Sequence, residues 1–122
     1  MKIKEIYELN EGLKTISNKE LPVKIAFLIQ QNISIVDIEI KNAEVIKQKI
    51  IKKYTDEEAT KKLKEQYKVK LQEDKLEDFN KELNEFMCQE TNLELKKISI
   101  DDLDGITIKP IELNRLKYII EE

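Results

Sequence analysis

The chain has 122 residues, of which 40% are apolar and 39% are charged, with 22 basic and 25 acidic side chains. That length predicts one domain over residues 1–122, and the apolar content argues against disorder. The near balance of charge is unlike that of a nucleic-acid binder, so direct nucleic-acid binding is not expected. Only two glycines and two prolines are present, which predicts few and long elements.

Charge is distributed unevenly along the chain. Residues 1–40 carry a net charge of −1, residues 41–70 carry +5 and residues 71–122 carry −7. The basic and acidic parts either pair with each other or present two faces to a partner. The single cysteine fits a reducing compartment, and the first residues lack the apolar stretch of a signal peptide or a membrane span. We therefore expect a cytoplasmic protein.

Two helices are predicted in the first half of the chain. Apolar residues at spacings of three and four predict a short helix from about Lys4 to Ile16. A long amphipathic helix is predicted from about Pro22 to Tyr54, because proline suits a first helical turn and no glycine or proline follows before Gly105. Its main apolar seam comprises Ala26, Ile29, Ile33, Val36, Ile40, Ala43, Lys47, Ile50 and Tyr54.

A second apolar row on the long helix lies off that seam. It comprises Leu28, Ile35, Ile38 and Val45, with Ile46 beside them. One antiparallel helix would not cover both rows. Either the first helix and the C-terminal elements cover the two sides between them, or the second row is an open face for a dimer or another partner.

The second half of the chain mixes helical and alternating patterns. Residues 55–66 are polar, whereas Tyr67–Gln72 alternates as a strand does. Helical spacing returns at Leu76, Phe79, Leu83 and Phe86, and short alternating runs follow at Leu93–Leu95 and Ile98–Ile100. A last helix should begin at Pro110 and use Leu113, Leu116, Ile119 and Ile120. The pattern predicts an α+β, predominantly helical fold, in which the long helix forms a hairpin beside a two- to three-stranded antiparallel sheet and C-terminal helices.

The residue types give little support to catalysis. Without histidine the chain has no histidine-based triad or metal site, and Cys88 is interpreted as a structural thiol. The cluster Asp101–Gly105 departs from calcium-loop spacing, so we assign it a turn and capping role with Gly105 at positive φ. We interpret the lysine-rich run from Lys47 to Lys64 as a solvated helix with local ion pairs. We predict no cofactor, no metal and no enzymatic activity.

Several short segments carry a resemblance. They are Leu21–Ile25, Lys53–Tyr54, Tyr67–Lys70, Phe79–Leu83, Ile98–Leu103 and the end of the chain from Ile119 to Glu122. In that order they resemble small, uncharacterised accessory proteins of phages and prophages from AT-rich Firmicutes and related bacteria. The polar insertion at 55–66 departs from that pattern. The resemblance implies a phage-encoded protein that acts by binding in the cytoplasm of a host cell, and it supplies no catalytic motif.

Two function hypotheses follow. The first is an inhibitor that binds a host protein complex, for example a CRISPR-type defence complex, through an acidic surface. That surface comprises Glu73, Asp74, Glu77, Asp78, Glu82 and Glu85. The second is a virion component or a tail or head assembly component, in which the open row of the long helix pairs with a phage protein or with a second copy as a homodimer.

Overall fold

The computed structural model describes residues 1–54 and 75–121. The helices are α1 (Ile3–Ser17), α2 (Val23–Lys53), α3 (Leu76–Met87) and α4 (Pro110–Arg115), and the strands are β1 (Ile98–Ser99) and β2 (Ile120–Glu121). A 3₁₀ helix at Ile100–Leu103 follows β1, and another at Lys117–Ile119 precedes β2. The fold is predominantly helical, as predicted. The predicted polar segment 55–66 and the predicted strand Tyr67–Gln72 lie outside the described residues.

The first two helices form the predicted hairpin. The Glu5 carboxylate accepts a hydrogen bond from the Lys2 backbone N–H at 2.7 Å and so caps the start of α1. Helix α2 starts directly after Pro22, whose carbonyl accepts the first helical hydrogen bond. The hydroxyl of Tyr7, near the start of α1, donates to Glu44 in the second half of α2 at 2.6 Å. The two helices are therefore antiparallel.

The main core lies between the hairpin and the C-terminal segment. Its buried side chains are Ile6, Leu9, Leu13, Ile16, Ile25, Ile29, Val36, Ile98, Leu103, Leu116 and Ile119. Gly12 lets α4 approach α1, because a Cβ at that position would lie 2.8 Å from the Arg115 Cβ. Only a residue without a side chain fits at position 12 without movement of α1 or α4.

Asn32 is fully buried on the inner side of α2 and joins the helix to the chain that enters β1. Its side-chain amide donates to the Lys96 carbonyl at 2.9 Å, and its side-chain oxygen accepts from the Lys96 backbone N–H at 2.7 Å. The Asn32 side chain thus pairs both backbone polar groups of Lys96, much as a neighbouring strand would pair them.

A smaller cluster joins the far end of α2 to α3. Ile50, Tyr54 and Phe79 are buried there, and the two rings pack edge to face with their centroids 5.8 Å apart. Lys53 and the Tyr54 hydroxyl both bind Glu82 of α3. The basic end of α2 and the acidic helix α3 therefore pair internally at this point.

The antiparallel sheet predicted from the alternating runs is wrong. Strands β1 and β2 are parallel, with Ile98 opposite Ile120 and Ser99 opposite Glu121. The chain between them passes through α4, which gives it the length that a parallel crossover needs. The predicted strand Leu93–Leu95 is wrong as well, since these residues belong to neither β1 nor β2.

The last helix begins at Pro110 as predicted but ends sooner than expected. It stops at Arg115, so Ile119 is buried in a 3₁₀ turn and Ile120 pairs in β2. The predicted turn at Asp101–Gly105 is confirmed, since Gly105 has a φ of +83°. Within the described residues, no helix combines the length and apolar character that crossing a bilayer requires.

Candidate interaction surface

The side of α2 that faces away from the core carries a line of exposed apolar side chains. Phe27 is 63% exposed, Ile38 62% and Val45 55%. They are separated by eleven and seven residues, or about three and two helical turns, so they project in the same direction. We call Phe27, Ile38 and Val45 the outer row. Large apolar side chains grouped on a surface are typical of interaction sites.

The residues predicted as an open face divide between two environments. Ile38 and Val45 are exposed and belong to the outer row. Leu28 is half-buried and packs against the main core, and Ile35 is half-buried as well. The neighbouring Ile46 is 39% exposed. Only part of the predicted row is therefore exposed together, and the exposed row extends farther toward the start of the helix, to Phe27.

The predicted acidic surface is also divided. Glu77, Asp78 and Glu85 are exposed on the outer side of α3, whereas Glu82 is turned toward α2 and bound there. Glu73 and Asp74 lie outside the described residues. Lys81 is exposed four residues after Glu77 and four before Glu85, a spacing at which opposite charges stabilise each other on a helix. The outer side of α3 is therefore less acidic than the sequence indicates.

Tyrosine hydroxyls hold three carboxylates in place. Tyr54 donates to Glu82 at 2.6 Å, and this bond, followed by the contacts of Lys53, lowers the pKa of Glu82. Tyr7 likewise lowers the pKa of Glu44. Each of these bonds joins two helices, so the carboxylates act in packing.

The third bond joins Tyr118 to Glu5 at 2.7 Å, and it is the largest cause of the lowered pKa of Glu5. Burial is the main cause of the raised pKa of Tyr7 and of Tyr118, with the carboxylate bond second. All three bonds favour a charged carboxylate facing a neutral phenol.

A small apolar groove opens beside the outer row. It encloses about 160 Å³ and lies between α1, α2 and α3. Its lining consists of Ile3, Ile6, Tyr7, Glu39, Ile40, Asn42, Ala43, Ile46 and Phe86. The volume is close to the ~150 Å³ cavity that holds a benzene molecule in an engineered protein core. The groove therefore has room for one large apolar side chain.

The groove and the outer row lie on neighbouring sides of α2. Asn42 and Ile46 line the groove from α2, and Val45 of the outer row lies about 100° round the helix from Ile46. The Lys47 ammonium lies 4.7 Å from the centre of the Tyr7 ring, and Glu44 accepts a hydrogen bond from the Tyr7 hydroxyl, so both residues hold this wall of the groove in place. A partner lying along α2 can contact the outer row and the groove at once.

Other candidate residues lie apart from this surface. Cys88 is half-buried at the end of α3, with its sulfur 4.0 Å from the Asn84 side-chain oxygen. The Ser99 side chain accepts a hydrogen bond from the Asp101 backbone N–H and caps the 3₁₀ helix that contains Asp101 and Asp102. Among the residues that the structure describes, no three cysteine or carboxylate side chains are arranged to hold a metal ion.

Comparisons with protein-family profiles, with curated proteins and with solved structures found no match to this chain.

Sequence reasoning missed two parts of this surface. Phe27 lies eleven residues before Ile38, so its helical spacing could have placed it in the outer row. The groove had no signal in the sequence, because its walls come from three helices and are lined by ordinary core residue types.

Proposed function

We propose that this chain is a non-enzymatic accessory protein that acts by binding another protein through the outer row of α2. One observation carries the proposal. Phe27, Ile38 and Val45 project from one side of a 31-residue helix, and each is more than half exposed. Burying a side chain of this size on binding contributes roughly 1.5–3 kcal/mol. Three of them supply a sufficient apolar centre for a protein interface.

The outer row supports this role better than the acidic surface of α3 does. Glu82 is already bound by Tyr54 and Lys53, so a partner would have to compete with those contacts. The remaining exposed acids of α3 are interrupted by Lys81. Exposed charge pairs contribute about 0–1 kcal/mol each, which is less than a buried apolar side chain contributes.

The non-enzymatic part of the proposal rests on what the polar residues do. Histidine is absent from the sequence, and three carboxylates with unusual environments, Glu5, Glu44 and Glu82, are hydrogen-bonded to tyrosines across helix contacts. Their lowered pKa values fit structural carboxylates that stay ionised.

For the biological setting, we propose the one that the sequence resemblance implies. A phage would encode the chain, and its partner would be a host protein complex, for example one of a CRISPR-type defence system, which the bound chain would inhibit by covering a surface. An interface centred on α2 needs no chemistry from the chain, which is consistent with inhibition by masking.

A capture experiment with matched surface variants tests the proposal. Tagged wild-type chain, a Phe27→Glu/Ile38→Glu variant and an Ile111→Glu control are expressed in host cells at equal levels. Ile111 is 58% exposed but lies on α4, away from the outer row. We expect the wild type and the control to retain the same partner, and the double variant to lose at least about 90% of it, as for an interface hot spot. Equal retention by all three would contradict the proposal.

The second candidate is an assembly component that binds copies of itself or a virion protein. It is favoured by the length of α2, about 47 Å at ~1.5 Å per residue, along which the outer row recurs. Sedimentation of the purified chain over a range of concentrations separates the two. A dimer that Ile38→Glu abolishes would favour self-association, and a monomer throughout would favour the first proposal.

A further inference from the structure

The exposed charges of α2 are almost all positive. The exposed charged residues of this helix are Lys24, Lys41, Lys49, Lys52, Lys53 and Asp37. Asp37 is already paired with Lys41 at 3.0 Å. Lys49 and Lys52 form no ion pair with any residue that the structure describes. Lys24 lies 3.9 Å from Asp102, and Lys53 lies 3.2 Å from Glu82. Among the described residues, the unpaired positive charge of α2 is therefore concentrated at Lys49 and Lys52, beside the Val45 end of the outer row.

The outer row is narrow and straight. Phe27 and Val45 are 18 residues apart, which corresponds to about 27 Å and five helical turns. The residues that flank it on α2, Gln30, Lys41, Asn42 and Gln48, are polar and exposed, so the row is one side chain wide, and the exposed Ser34 interrupts it. An amphipathic helix laid along α2 matches such a row, because its own apolar residues recur at the same interval.

The groove adds a position for one anchoring side chain. It has room for one large apolar group and lies beside the Val45 end of the row, close to Lys49 and Lys52. Interfaces in which a helix binds a groove are commonly dominated by a few buried apolar anchors.

From these features we propose the chemistry of the partner. The outer row and the groove bind an amphipathic helix of another protein, with carboxylates beside its apolar stripe and one large apolar side chain seated in the groove. This inference rests on the proposed function and specifies the partner class.

Two other partners for the outer row, a second copy of the chain and an anionic membrane, match the surface of α2 less well. The one exposed acid of α2, Asp37, is already paired with Lys41, so the α2 of a second copy offers no free exposed carboxylate to Lys49 and Lys52. It would instead bring more lysines to the interface, where like charges repel. An anionic membrane would satisfy the lysines. However, the exposed Ser34 interrupts the outer row, and an interfacial helix buries a wide apolar face. A helix with flanking carboxylates satisfies both the charges and the narrow row.

Two synthetic peptides of about 18 residues, the length of five turns, test this partner class against the full chain. They share the same leucines and one tryptophan anchor and differ only in flanking residues, glutamate in one and lysine in the other. In fluorescence polarisation at low salt, we expect the glutamate peptide to bind at least about tenfold more tightly. Raising the salt from about 0.1 M to about 1 M should reduce that difference.

Variants of the chain test which residues cause the preference for the glutamate peptide and which form the anchor site. Lys49→Glu/Lys52→Glu should remove or reverse the preference for the glutamate peptide, whereas Lys109→Glu, an exposed lysine near α4, should not change it. Asn42→Trp fills the edge of the groove and should weaken binding of the tryptophan peptide by at least about tenfold. It should leave a version of the peptide with alanine at the anchor position unaffected. Asn42 is exposed, so its replacement leaves the core intact.

Several results would overturn the inference. They are equal affinity for the two charged peptides, no binding of either peptide, tighter binding to phosphatidylglycerol vesicles than to the glutamate peptide, and dimerisation of the free chain through Ile38. The capture experiment separates this failure from failure of the proposed function. If partner retention depends on Phe27 and Ile38 while the peptides show no charge preference, the partner chemistry alone is wrong. If retention is independent of both residues, the binding role itself is wrong.

Discussion

The two sides of α2 have similar residue types and opposite environments. On the inner side, Ile29 is 2% exposed and Val36 is fully buried, whereas Ile38 on the outer side is 62% exposed. Helix α1 and the C-terminal segment cover the inner side, and no described element covers the outer row. Apolar spacing therefore reveals that a helix has two apolar faces, but the number of neighbouring elements determines which of them is buried.

The two sides of α2 also contribute to different processes, the inner side to folding and the outer side to binding. Inner side chains contribute their burial to the stability of the free protein, about 1.5–3 kcal/mol each. Outer side chains contribute little until a partner covers them. Changes on the inner side should therefore affect stability, and changes on the outer side should affect binding alone.

The largest difference is expected between two isoleucine truncations. Ile29→Ala removes a buried side chain and leaves a cavity, so we expect a loss of about 2–5 kcal/mol in the free energy of unfolding. Ile38→Ala should change that free energy by less than about 0.5 kcal/mol, because the side chain is exposed. Urea denaturation followed by circular dichroism measures both. Equal losses would show that the outer row is covered in the free chain.

A polar group on the inner side provides the next test. Asn32→Leu leaves the Lys96 N–H and carbonyl without their partners, at a cost of about 1–3 kcal/mol in the free energy of unfolding. Ser34→Leu, an exposed polar change on the same helix, serves as the control and should have little effect. Similar stability for wild type and Asn32→Leu would mean that water replaces both hydrogen bonds.

A substitution at Gly12 tests how closely α4 packs against α1. In an isolated helix, Gly12→Ala would stabilise by ~1 kcal/mol. Here the new Cβ would lie 2.8 Å from that of Arg115, so overpacking of about 1–3 kcal/mol should outweigh the gain. We therefore expect a lower melting temperature. A higher melting temperature would show that α4 moves away from α1 at little cost.

The three tyrosine–carboxylate bonds predict a dependence of stability on pH. Each carboxylate has a folded-state pKa below its ordinary 4.5, so its contribution is present above pH 4.5 and is lost as the pH falls through the folded value. The tyrosine pKa values are raised above 10.0, so their contribution is present below pH 10 and is lost at still higher pH.

Denaturation midpoints across pH measure this effect. The triple variant Tyr7→Phe/Tyr54→Phe/Tyr118→Phe should lose less stability between pH 7 and acid than the wild type does, because it lacks the largest cause of the lowered pKa of each carboxylate. Parallel pH profiles for the two proteins would contradict the assignment.

The helical part of the fold could be predicted from the sequence because it depends on local signals. Pro22 gave the start of α2, and uninterrupted helical spacing gave its length. Pro110 gave the start of α4. The direction of the strands could not be predicted, because it depends on the path of the chain between β1 and β2. Nor could the pairing of Ile120, because it depends on the early end of α4 at Arg115.

The candidate surface could be predicted only in part, for the same reason. The row containing Ile38 and Val45 is a local feature of one helix, whereas the coverage of Leu28 depends on distant residues. The acidic cluster was a local pattern too, and the contact between Glu82 and Tyr54 that removes one member from it joins residues 28 positions apart. Exposure and pairing across such distances are properties of the folded chain.

The most direct test of the binding role measures stability and partner affinity together in the Phe27→Glu/Ile38→Glu variant. We predict a free energy of unfolding within about 1 kcal/mol of the wild type, because both side chains are exposed, and at least about a tenfold loss of affinity for the captured partner. The Ile111→Glu control should retain both properties. Unchanged affinity in the folded double variant would contradict the assignment of the outer row as the binding surface.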